Sequence, residues 1–107
     1  MLDLRWRPRA QMDRESIALY LGFERQNPAA ALSVVKSIDA AIARARELPD
    51  SGGRFRVDQL QHKEYRTVIA GKYTVYYRFD EDTATIYRIL HQRQRIDDYA
   101  LIDFPID

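Results

Sequence analysis

The chain has no cysteine. That excludes disulfide staples, thiolate metal sites and a thiol nucleophile, leaves stability to apolar burial, and fits a cytoplasmic location. Long apolar runs are also missing: nothing approaches the roughly 20 residues that span a bilayer, and Arg5, Arg7 and Arg9 are followed by no hydrophobic export region, so no membrane role is expected. Histidine is scarce. His62 and His91 stand far apart without a clustered carboxylate, which is no metal-ligand set, and no cofactor is implied. Asp80-Glu81-Asp82 lacks the glycine and distal glutamate of a calcium loop and reads as a charged turn. Ser16, Ser33, Ser37 and Ser51 have no nucleophile-elbow context, so hydrolase chemistry has no support. Charge imbalance is absent too: the net charge is +1, so only a local gathering of cations can produce a strong field. Repeats, linkers and low-complexity segments are not found.

What is present suits one modest domain spanning residues 1–107, with 46% hydrophobic residues. Leu2 to Trp6 alternates apolar and polar residues, and Pro8 interrupts any ladder, predicting a short edge strand. A helix is expected from about Ala10 to Arg25, with Gly22 weakening its end. Asn27-Pro28 marks a second start, since asparagine accepts from an orphan amide and proline loses nothing at the first helical position. From there Ala31, Val34, Val35, Ile38, Ala41, Ile42, Ala45 and Leu48 step by three and four up to Pro49.

The remainder reads as strands: Arg54 to Val57, Glu64 to Ala70, Tyr73 to Phe79 and Ala84 to Gln92. Gly71 and Asp80 to Thr83 supply the turns, and a short helix is expected over Ile96 to Ile102. The fold class is α+β: an N-terminal strand and an antiparallel helix hairpin packed on a mainly antiparallel sheet of about four strands. The last strand carries Arg88 and His91 and leads to Arg93 and Arg95, so the sheet ends in a basic, histidine-bearing rim suited to an anionic partner. Arg88 and Arg93 share a face of a regular strand only if a bulge intervenes. Most of the tyrosines, Tyr65, Tyr73, Tyr76, Tyr77 and Tyr87, read as sheet packing.

Trp6 and Pro8 before helix one, Asn27-Pro28-Ala-Ala-Ala opening helix two, Leu48-Pro49 closing it, and the Tyr77-Arg78 and Ile89-Leu90-His91 strands make up an order that resembles the RelE/ParE superfamily of toxins. The resemblance covers about Leu2 to Gln94 and is nearer the ParE branch. It implies a type II toxin that inhibits DNA gyrase and is neutralised by a cognate antitoxin, commonly a small DNA-binding protein. Under that reading no catalytic residue is expected, and Arg78, Arg88, Arg93 and Arg95 are the candidates for target contact. The acidic, apolar tail Ala100 to Asp107 extends past the end of many ParE toxins.

The RelE branch supplies an alternative, a ribosome-dependent mRNA endoribonuclease. Its chemistry needs a base for the ribose 2′-hydroxyl, cations for the phosphate and an acid for the leaving oxygen. Arg66, His91, Arg93 and Tyr99 are the candidates, with Thr74 standing where RelE toxins carry a sheet arginine. A second alternative is a non-toxic protein of the same fold that acts only as an antitoxin's partner.

Overall fold

The structure, a computed structural model, describes residues 1–56 and 64–94. The elements run β1 (Asp3–Trp6), α1 (Pro8–Leu19), a π-helical turn (Tyr20–Glu24), α2 (Pro28–Glu47), a 3₁₀ turn (Pro49–Ser51), β2 (Gly53–Arg56), β3 (Glu64–Ala70), β4 (Tyr73–Phe79) and β5 (Thr83–His91). The sheet has five strands in the order β1-β5-β4-β3-β2. All pairs are antiparallel except β1 with β5, because the helix hairpin carries the chain across the sheet between them.

Both helices lie on one face. Ile38, Ala41, Ile42 and Ala45 of α2 are buried against Ala70, Val75, Tyr77, Ile86 and Ile89 of the sheet, so the expected stripe is the core stripe over its central turns. Leu48 departs from it. As the C-cap residue it adopts φ −130°, leaves the helical spiral and is 64% exposed. Asn27 caps α2 by accepting from the Ala30 amide at 3.1 Å, with Pro28 as the first helical residue.

Both ends of α1 differ from the expectation, and β1, β2 and β5 each shift by a residue. α1 begins at Pro8, where a proline without an N–H is harmless, and its regular part stops at Leu19. Gly22 lies inside a π-helical turn, and an added Cβ there would meet Ala31 Cβ of α2 at 3.7 Å. At β5 the register shifts between Tyr76 and Tyr77, so one extra residue, Tyr87, bulges out. Tyr65, Tyr87, Phe55 and Tyr76 form a second cluster apart from the helical core. The expected helix over 96–102 lies outside the described residues, as does Val57. Among the described residues no helix is long and apolar enough to cross a membrane.

Candidate functional site

β5 runs from an acidic end to a basic one. At its start Asp80 closes the turn by accepting from the amides of Asp82 and Thr83, each at 2.9 Å, and these two bonds hold its carboxyl below the ordinary carboxylate value. At its finish the chain turns through residues 91–94, fixed by the Gln94 side chain accepting from the His91 amide at 2.7 Å. Gly71, at φ +60°, makes the β3–β4 turn and sets Lys72 beside this end, where the Lys72 carbonyl accepts from the Gln92 amide at 2.8 Å. The tip of the helix hairpin arrives there as well, so Arg25 and Lys72 share the lining of one cleft with His91, while Arg93 is exposed on the adjacent turn.

These cations differ from four arginines elsewhere that are paired with carboxylates, Arg66 among them. Arg14 pairs with Asp39 at 2.7 Å, Arg88 with Asp13 at 2.7 Å, and Arg54 with Glu64 at 3.2 Å. Arg25, Lys72 and Arg93 have no carboxylate partner among the described residues. Positive charge gathered at one end suits an anionic surface.

His91 packs edge-on against Tyr73, with ring centroids 5.2 Å apart. Its Nδ1 accepts from the Arg93 amide at 3.0 Å. A backbone N–H can only donate, so the neutral imidazole carries its proton on Nε2, which is then a donor.

The remaining candidates divide. Arg66 points to the helical side of the sheet, where its guanidinium donates to the Asp50 carbonyl at 2.8 Å and the Gly52 carbonyl at 3.2 Å and pairs with the Asp50 carboxylate. It secures the chain's entry into β2 and is buried away from the rim. Arg88 reaches over the sheet edge to Asp13 through two hydrogen bonds, at 2.7 and 3.0 Å. Arg78 lies at the far end of β4 with its guanidinium over the Tyr65 ring at 5.7 Å. Of the seven candidates, then, only His91 and Arg93 meet at the rim; Arg95 and Tyr99 lie outside the described residues. Sequence reading passed over Arg25, whose place depends on the helix hairpin, and Asp13, whose pairing spans most of the chain. Among the described residues no group of three or more histidine, aspartate or glutamate side chains is arranged to hold a metal ion.

A helix hairpin on one face of a mostly antiparallel sheet, with the N-terminal strand parallel to the last, defines the RelE/ParE class of toxin folds. Within it the chain belongs to the ParE toxin family: the family model described as ParE toxin of type II toxin-antitoxin system, parDE, matches residues 4–96. That span takes in every described element except the first residue of β1, and ends short of Tyr99. Among solved structures the chain is similar to one titled "Chromosomal ParDE TA system from P. aeruginosa", at a TM-score of 0.65 and 20% identity over 85% of this chain and 96% of that one. No curated protein matches the sequence.

Proposed function

We propose that this type II toxin acts by inhibiting DNA gyrase and is held inactive by a cognate antitoxin. The observation that carries the reading is the family match across residues 4–96, which includes the cationic rim of Arg25, Lys72 and Arg93, none of them paired with a carboxylate among the described residues. A target already engaged with DNA presents negative charge to such a rim. The likeness to a ParDE structure supports a partner antitoxin by analogy.

Geometry speaks against the ribonuclease alternative at two positions. Arg66 is committed to Asp50 and Gly52, away from the rim and from any phosphate docked there. His91, with Nδ1 occupied by the Arg93 amide, offers a donor where the reaction's first step needs a base. The deciding experiment is a gyrase supercoiling and DNA-cleavage assay over a concentration series, with antitoxin as the control. Trapped cleaved DNA is the expected result. Folded protein that leaves gyrase untouched, but cleaves mRNA on ribosomes, would replace this reading with the endoribonuclease one.

A further inference from the structure

We propose that the cleft between the helix hairpin and the β3–β4 turn is a binding site for a small organic anion with an apolar body, of the aryl-alkanoate kind. The cleft holds about 460 Å³, inside the range of roughly 300–1,000 Å³ usual for small-molecule sites. Its floor is apolar, made by Leu21, Val34 and Ala70. That floor selects for a ligand with hydrocarbon to bury, and a bare inorganic anion would leave it wetted.

The polar groups of the lining can all donate. Arg25 and Lys72 bring full charges, neither with a carboxylate partner among the described residues, and His91 brings the Nε2 proton that its Nδ1 contact dictates. Ser33 and Ser37, one turn apart on α2, add hydroxyls. Tyr73 adds a phenol whose pKa burial pushes up, so that it stays a neutral donor. Among the described residues no aspartate or glutamate lines the cleft. Donors without a compensating carboxylate, over an apolar floor, match a ligand having one anionic group and a compact apolar remainder.

The cleft shares Arg25 and Lys72 with the rim, but its test stands apart from the gyrase reading, since binding is measured without gyrase. The test is a ¹H–¹⁵N NMR titration of the full chain with 3-phenylpropionate, with its neutral amide, and with inorganic phosphate. We expect saturable one-to-one shifts at Ser33 to Ser37, Gly71 to Tyr73 and His91 with the carboxylate. The neutral amide should bind about tenfold more weakly or worse, because a charge-assisted hydrogen bond is lost. Arg25→Ala with Lys72→Ala should weaken the carboxylate by about tenfold with the spectrum otherwise intact, both residues being exposed. Ser37→Leu should block it by filling the cleft. Shifts that do not saturate or fall elsewhere, equal affinity for the amide, equal affinity for phosphate, or an unchanged affinity in the double variant would each overturn the proposal.

Discussion

Single residues here carry loads that their types do not announce. Gly52 has an ordinary φ of −67°, yet a Cβ on it would lie on the Tyr77 hydroxyl and 2.9 Å from the Thr67 carbonyl oxygen. Tyr77 is fully buried and donates to the Pro49 carbonyl at 2.7 Å, so it has nowhere to retreat. Gly52→Ala is therefore expected to cost about 1–3 kcal/mol by overpacking, read as a lower urea midpoint at unchanged slope. Asp80 gives a pH signature. Its folded pKa is depressed by two amides, so its contribution is fully present above the ordinary value of 3.8 and is lost as pH falls through the lower folded value. Asp80→Ala should flatten the acid limb of stability below pH 3.8, measured by urea denaturation across that range. Neither effect is legible in the sequence, which shows an aspartate in a turn and a glycine in a loop but not the atoms that approach them.

At the scale of elements the sequence was most readable where one periodicity governs. β3 and β4 begin and end at the expected residues, and α2 runs from the expected asparagine cap to the expected Leu48-Pro49 stop. Ile38, fully buried, lies at the centre of that helix's inward stripe. Ile38→Asp should abolish the cooperative thermal transition, since a buried unpaired carboxylate costs several kcal/mol. What escaped sequence reading was set by contacts between distant elements: the π-helical turn where Gly22 meets Ala31, the bulge at Tyr87, and the side of the sheet that Arg66 takes. Asp13 belongs with these. Its carboxylate accepts from Nε and Nη2 of Arg88 and from the Ile89 amide at 2.9 Å, tying α1 to β5. Removing that carboxylate from a mostly buried pair should destabilise Asp13→Ala by about 3 kcal/mol, with Asp13→Asn milder because one acceptor remains for Ile89; chemical denaturation of both variants checks the order.

Across the whole molecule a net charge of +1 conceals an axis. Asp80, Glu81 and Asp82 cap one end of β5, and Arg25, Lys72 and Arg93 gather at the other. The N-terminus of α2 lies on the basic side, Val34 lining the same cleft, so the positive end of the helix dipole adds to the field. If the rim meets an anionic target, Lys72→Ala with Arg93→Ala should slow association several-fold at low salt and lose that difference above about 0.5 M salt, as surface-plasmon kinetics against gyrase would register. Sequence could count these charges but not collect them, because Arg25 and Lys72 converge only through a hairpin and a two-residue turn.

The way β5 is finished has a consequence for how copies of this protein coexist. β1 pairs with it only as far as Ile86, and beyond that point the outward amides of Ile89 and His91 are met by the Asp13 carboxylate and the Gln94 amide. A strand edge closed by side chains is a plug, not a wall: it denies a templating surface to a neighbouring chain without committing further backbone. Withdrawing either side chain would leave an outward amide of β5 without its acceptor and reopen that stretch of the strand to pairing.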